Sequence, residues 1–357
     1  MRAVLRSAWT SNGRATQSGK KACERLQQDH LSVILKDVAL SATSDQIVSE
    51  KAQKSHTLLA DYAVLFKLRV SVMVVVTAGA GFYLGSLRSG ISPFHAGLLN
   101  ALAGITLVTL GSSALNQALE RKTDLLMHRT ADRPMAAGRI GLAHGLIVGF
   151  LAVFLGSLYL AVTTNVLTGT LTLLTAIAYV AIYTPLKRVT VINTFIGAFP
   201  GALPPLIGWT AIRGVIEWPA VALFALMFVW QFPHFMAIGW MYRQDYAEAG
   251  IRLTPTNPDI RWAARSTVLQ SLFYAVLMVP VSVWPTWLGI TGTPYAVTAT
   301  VLSLGYLYYT IRFARITRNP EAPESRILAR DLLRASVIYL PLLLGAMMLN
   351  AQGRLLF

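Results

Sequence analysis

The stretch LLNALAGITLVTLGSSALNQALERKTDLLMHRTADRP, residues 98–134, decides how the rest of the chain is read. Up to Leu115 it is an apolar run of the kind that crosses a bilayer as a helix. Beyond that point Asn116, Glu120 and Asp124 fall four residues apart, and Arg129 and Arg133 follow at the same interval. Residues at i, i+4 and i+8 advance by only about 40° per step on a helix of 3.6 residues per turn. The amide oxygen and two carboxylates therefore form one stripe at the end of the span. Hard oxygen ligands of this kind suit Mg²⁺, which takes a few protein oxygens together with waters and a substrate phosphate. Arg129 and Arg133 lie one turn apart if the chain stays helical, and guanidinium groups match phosphate oxygens in pairs. Acids and arginines together suit a phosphate that arrives with its metal. The competing reading is an interfacial salt-bridge cluster. Polar and ionisable residues at a membrane bundle are costly, and five of them in two four-residue-spaced sets favour a site.

Composition agrees with a membrane protein. The chain has 357 residues, 54% hydrophobic and only 13% charged, with mean hydropathy +0.53; a soluble domain carries about a quarter charged residues. Apolar segments at 69–87, 94–115, 140–162, 166–184, 191–212, 218–240, 267–288, 293–311 and 335–350 predict an all-α polytopic bundle of about nine transmembrane helices. Pro280 and Pro285 are expected to kink the seventh.

The formal net charge of +15 would suggest nucleic-acid binding in a soluble protein. Here the cations fall on alternate loops, as the positive-inside bias requires. Arg121, Lys122, Arg129, Arg133 and Arg139 follow the second span, Lys187 and Arg188 the fourth, Arg243, Arg252, Arg261 and Arg265 the sixth, and Arg312 to Arg334 the eighth. The other connections hold Arg88 and Arg213, and the C-terminal tail Arg354. This predicts a cytoplasmic or matrix-facing amino terminus, a carboxyl terminus on the opposite side, and no nucleic-acid partner.

Residues 1–60 read as a polar, disordered tail, with residues 61–357 as the transmembrane domain. The early arginines and lysines of the tail also resemble a mitochondrial presequence, although Asp29, Asp37, Asp45 and Glu50 follow. A bacterial inner membrane and a mitochondrial inner membrane both stay open, the bacterial reading being preferred. Cys23 is the only cysteine, so neither an internal disulfide nor a thiolate cluster can form within one chain. A phosphate-binding glycine loop, a Ser–His–Asp order and an HExxH motif are all absent from the sequence.

Two further polar stretches fall at the same level as the stripe. YTPLKRVTVIN, 183–193, offers Lys187 and Arg188 as a second cationic arm, or as topology signal alone. WQFPHFMAIGWMYRQDY, 230–246, carries Gln231 and His234 within apolar sequence and Arg243, Asp245 and Tyr246 just beyond it. Asp245 is expected to add a metal-binding carboxylate opposite the stripe. His234 reads either as a hydrogen-bonded structural residue or as a ligand.

These motifs resemble the UbiA-type intramembrane prenyltransferases. N-x-x-x-E-x-x-x-D-x-x-M-x-R-T-x-x-R-P-x-x-x-G at 116–138 is similar to the first acidic motif of that family. Together with Y-T-x-L-K-R-x-T-x-x-N at 183–193, G-A-x-P-P-x-I-G-W at 201–209 and the 230–250 motif, it looks like the haem-modifying branch. The resemblance covers about residues 60–350. It implies transfer of a farnesyl group from farnesyl diphosphate to a vinyl group of haem B, giving haem O, with Mg²⁺ as cofactor. Asn116, Glu120, Asp124 and Asp245 would then be the catalytic metal ligands, Arg129, Arg133, Lys187 and Arg188 the diphosphate donors, and His234 and Arg243 the haem contacts. The implied partners are the lipid bilayer, haem A synthase and oxidase assembly factors. The sequence departs from the family in two places: Glu120 stands where many members have Asp, and Ala249 leaves no full D-x-x-x-D after Asp245. A different aromatic or tetrapyrrole acceptor, or a transporter whose charged stripe is a gate, are the alternatives.

Overall fold

The computed structural model describes residues 57–352. The N-terminal tail up to residue 56, Cys23 and Arg354 lie outside the described residues. Nine long helices run through the described part: α1 Leu68–Arg88, α2 Ala96–Asp124, α3 Leu142–Thr163, α4 Val166–Leu186, α5 Asn193–Arg213, α6 Trp218–Met241, α7 Ile260–Trp287, α8 Thr293–Phe313 and α9 Pro323–Leu349. Eight are long and apolar enough to span a membrane, and the chain is a multi-pass membrane protein. The exception is α8, where Thr298, Thr300, Tyr306, Tyr308 and Tyr309 dilute the apolar residues. It nevertheless packs in the bundle between α7 and α9.

The expected spans hold at their apolar centres, but three helices reach well past them. α2 continues to Asp124, α7 begins at Ile260 and α9 begins at Pro323. All three extensions lie at the cation-rich end, where charged residues continue the helix after hydropathy has fallen away. Hydropathy marks the lipid-facing part of a helix, whereas backbone hydrogen bonding continues until a cap ends it. α7 starts where the Asp259 side chain accepts from the backbone N–H groups of Arg261 and Trp262. Pro280 and Pro285 lie within α7 and do not divide it.

Consecutive helices pack side by side from α2 to α9, while α1 lies against α5 and also touches α9. The α1–α5 contact is backbone on backbone. A Cβ at Gly81 would stand 1.9 Å from the Pro205 carbonyl oxygen, and one at Gly208 1.8 Å from that of Ala78. Small residues permit such close approach, the main source of helix attraction where lipid is as apolar as the side chains. The larger buried cluster lies among α5–α9, around Trp209, Trp240, Tyr295, Tyr306 and Phe313.

A short helix, Leu58–Leu65, precedes α1 and straddles the expected domain boundary. The chain turns out of it at Lys67, whose backbone is left-handed (φ 47°, ψ 47°). It is the only non-glycine residue with positive φ among the described residues. Such a conformation costs about 1–3 kcal/mol and persists only where its surroundings fix it. Here buried Gln117 of α2 does so, donating to the carbonyl oxygens of Val64 at 2.6 Å and Leu65 at 3.1 Å.

Candidate active site at the polar end of the bundle

The stripe predicted on α2 is continuous helix, and each of its three residues meets a cation from a different segment. Lys67 donates to the Asn116 side-chain oxygen. Lys187 Nζ lies 2.7 Å from Glu120 Oε1. Arg133 Nη1 contacts both carboxylate oxygens of Asp124 at 2.8 Å. Asn116 and Asp124 are almost wholly buried. With Glu120 and Asp124 ionised and Lys67 protonated, three cations face two carboxylates, an arrangement with room for further negative charge.

Local chain chemistry explains how each cation arrives. Lys67 is aimed by the left-handed turn. Lys187 follows a π-helical segment of α4, Ala178–Tyr183, and one further turn, Thr184–Leu186, that contains Pro185. The backbone N–H of Thr184 donates to the Tyr179 carbonyl five residues back, and the Thr184 hydroxyl donates to the same oxygen at 2.9 Å. Thr184 Oγ1 also accepts from Asn116 Nδ2 at 3.0 Å, tying α4 to the stripe. Tyr179 and Tyr183 stack with ring centroids 5.9 Å apart, and Lys187 Nζ sits 4.5 Å from the Tyr183 ring centre.

Arg133 arrives by a route that corrects the sequence reading. α2 ends at Asp124, and residues 125–139 form successive turns, so Arg129 and Arg133 are not one helical turn apart. Thr130 Oγ1 donates to the Asp124 carbonyl at 2.9 Å, folding the chain back so that Arg133 meets Asp124 from outside the helix. Arg139 fastens these turns to the short first helix through Asp61 at 3.0 Å and to Asp132 at 2.9 Å. Arg129 is directed elsewhere: it donates to Tyr246 Oη at 3.0 Å, with its guanidinium 4.9 Å from the Tyr242 ring centre.

The remaining expected residues divide. Arg188 is exposed and forms no ion pair among the described residues, although its neighbour Lys187 points inward. Asp245, on the short helix Arg243–Glu248, lines a neighbouring cavity with Arg129 and Arg243 rather than the stripe cluster. His234 of α6 is held by Ser336 of α9, Nδ1 to Oγ 2.7 Å, and stacks on Trp230 with centroids 4.9 Å apart. Gln231 is structural, donating to the Ala198 and Met227 carbonyl oxygens. The loops carrying these groups are laced together: the Arg252 backbone N–H donates to the Lys187 carbonyl at 2.7 Å, and Asn193 Nδ2 donates to that of Arg252 at 2.5 Å.

Lys67 was missed by the motif reading. It lies just before the first apolar segment, among Lys and Arg residues that the topology reading absorbs as flanking charge. Burial pushes its ammonium down to about 7, with Glu120 pulling the other way. Tyr179 was also missed; its hydroxyl lies 3.4 Å from Lys67 Nζ.

The donor set suits Mg²⁺ only in company with further oxygens. Among the described residues no group of three or more His, Cys, Asp or Glu side chains is arranged to hold a metal. The stripe instead offers two carboxylates and an amide oxygen, which leaves most of an octahedral shell to water and phosphate, as Mg²⁺ prefers. Each of these oxygens now accepts from a cation, and the same cations are free to turn to phosphate oxygens. The residues fit the ion together with a diphosphate, and fit the bare ion poorly.

A polytopic helical bundle with this acid-and-cation cluster at one end is the architecture of an intramembrane prenyltransferase. The model of the UbiA prenyltransferase family matches residues 72–336, and the chain belongs to that family. Its curated relatives include the protoheme IX farnesyltransferases of Koribacter versatilis and Solibacter usitatus. The first is 45% identical, covering 82% of this chain and 94% of the relative; the second is 38% identical, covering 82% and 99%. Among solved structures, a digeranylgeranylglyceryl phosphate synthase has the same fold at TM-score 0.66 and 16% identity, covering 83% of this chain and 99% of that one. A UbiA homologue from Archaeoglobus fulgidus bound to DMAPP and Mg²⁺ matches at TM-score 0.52 and 16% identity, covering 80% and 99%.

Proposed function

We propose that this protein transfers the farnesyl group of farnesyl diphosphate to a vinyl group of protohaem IX, forming haem O. The observation that carries the reading is the cluster in which Lys67, Lys187 and Arg133 converge on Asn116, Glu120 and Asp124. Relatives named for this activity, at 38 and 45% identity, align over most of the chain.

The chemistry needs a place where a diphosphate can leave and an allylic cation can survive. Lys67, Lys187 and Arg133 bind the diphosphate oxygens and orient the farnesyl C1–O bond toward the bundle interior. Arg129 stands at the rim and takes part in capture, with exposed Arg188 adding charge on the approach. Asn116, Glu120 and Asp124, with Asp245 from the neighbouring cavity, would hold Mg²⁺, which would supply neutralisation of the departing charge. The C1–O bond breaks with its electron pair going to diphosphate. The terminal carbon of the haem vinyl then bonds to farnesyl C1, and water adds at the inner vinyl carbon with loss of a proton. Buried helix faces keep other water from the allylic cation. His234, fixed through Ser336, and Arg243 are the acceptor contacts. The acids face the cytoplasm or matrix, where farnesyl diphosphate is delivered, with the amino terminus on that side. The protein resides in a bacterial inner membrane or its mitochondrial counterpart. Its product suits haem A synthase and oxidase assembly factors as downstream partners.

The deciding experiment incubates the purified full-length protein with Mg²⁺, farnesyl diphosphate and either protohaem IX or 4-hydroxybenzoate, and reads product mass. Farnesylated, hydrated haem is expected. Product from 4-hydroxybenzoate alone would reassign the acceptor.

A further inference from the structure

A cavity of about 470 Å³ opens beside the stripe cluster, and its lining does not include Glu120 or Asp124. Its walls come from three segments: the turns after α2 (His128 and Arg129), the short helix Arg243–Glu248, and the start of α9 up to Arg326. The volume is that of a small-molecule site.

Arg243 and Arg326, which line this cavity, form no ion pair among the described residues. Arg243 donates to the Trp240 and Pro320 carbonyl oxygens at 3.2 and 3.3 Å and lies 4.6 Å from the Trp240 ring centre. Those contacts hold the guanidinium in place without neutralising it. Arg326 is exposed, and its side chain makes no ion pair or hydrogen bond among the described residues. Asp245 and Glu321 also line the cavity, yet neither forms an ion pair with Arg243 or Arg326. With Arg129, the lining therefore keeps a surplus of positive charge. Two guanidinium groups lining one cavity suit an anionic ligand, and their planar forks fit carboxylates bidentately.

We propose that this cavity binds the propionate carboxylates of the tetrapyrrole acceptor, with Arg243 and Arg326 as the recognising groups. The inference rests on the haem reading above and adds the acceptor's polar anchor to it. Protohaem carries both propionates on one edge and its vinyl groups away from that edge. Anchoring the acids at the polar mouth leaves a vinyl group free to enter the bundle beside the donor cluster. His128 and Gln244 line the same cavity and supply further donors.

The test is an absorbance titration of the full-length protein with protohaem IX and with its dimethyl ester, alongside farnesyl-transfer kinetics. Arg326→Gln is the main variant, because no contact in the fold depends on Arg326. It is expected to lose about tenfold in affinity for the diacid, the worth of one charge-assisted hydrogen bond, to keep its affinity for the diester, and to leave the KM for farnesyl diphosphate unchanged. Arg243→Gln is expected to act in the same sense. Unchanged diacid affinity in Arg326→Gln would overturn the inference while leaving the haem reading intact, provided the wild type farnesylates protohaem. A raised KM for farnesyl diphosphate with unchanged diacid affinity would assign the cavity to the diphosphate. A wild type that neither binds nor farnesylates protohaem would remove the haem reading, and this inference with it.

Discussion

Lys67 reaches the side-chain oxygen of Asn116 across 49 residues of sequence, from the only left-handed non-glycine backbone among the described residues. The contact joins the entry to the first transmembrane helix with the acidic stripe of the second. A strained residue whose side chain ends in a cluster of opposite charges is the pattern expected of a functional position.

Replacing Lys67 with Ala should lower kcat/KM for farnesyl diphosphate by about 10- to 100-fold, the range for losing a charge-assisted hydrogen bond to the substrate. Membrane insertion should be unaffected. Lys67→Arg, which keeps the charge, should recover part of the loss. Equal kinetics in wild type and Lys67→Ala would make the residue a helix-entry device only.

Asp124→Asn should abolish haem O formation while the protein still inserts, since it replaces the carboxylate that meets Arg133 at 2.8 Å with a neutral amide. Asp245→Asn should also abolish it, although Asp245 stands outside the stripe cluster. Mass analysis of extracted haems reads both. Full activity of Asp245→Asn with Asp124→Asn inactive would confine the metal to α2.

Chelation of divalent cations should stop farnesyl transfer, and added Mg²⁺ should restore it. The binding of farnesyl diphosphate should weaken in parallel, because the donor oxygens fit the ion and the diphosphate jointly. Turnover that persists in excess chelator would exclude a metal requirement.

His234→Ala should weaken protohaem binding more than farnesyl diphosphate binding, and Ser336→Ala should produce a smaller shift of the same kind, since Ser336 holds Nδ1 at 2.7 Å. Unchanged haem titration in His234→Ala would return the residue to a structural role.

Gly208→Ala tests the fold. Its new methyl group would lie 1.8 Å from the Ala78 carbonyl oxygen, so α1 and α5 must separate. A loss of about 1–3 kcal/mol or more is expected for overpacking of this kind, seen as a lower thermal midpoint in detergent. An unaltered midpoint would mean that α1 shifts at no cost.

The class of fold was legible because hydropathy and loop charge are local properties: each apolar centre from 69–87 to 335–350 lies within a helix of the structure. The stripe was legible for the same reason, since Asn116, Glu120 and Asp124 share a face of a single continuous helix. Helix ends were less so, because α2, α7 and α9 continue through charged residues where hydropathy gives no signal. Arg129 and Arg133 show a different failure. Their four-residue spacing suggested one helical face, but the chain had already turned, and they meet different partners, Tyr246 and Asp124.

The sequence by itself determined that this chain is a membrane bundle, which residues carry acid and base at one end, and which family they resemble. Only the tertiary structure decided the pairings: Lys67 with Asn116, Lys187 with Glu120, Arg133 with Asp124, and Arg129 with Tyr246. Each depends on where the chain leaves a helix, through a left-handed residue, a π-segment before a proline, or a run of turns. Such exits are set by hydrogen bonds between distant segments, Gln117 to Val64 and Asn116 to Thr184 among them, and no local pattern in the sequence encodes those partners.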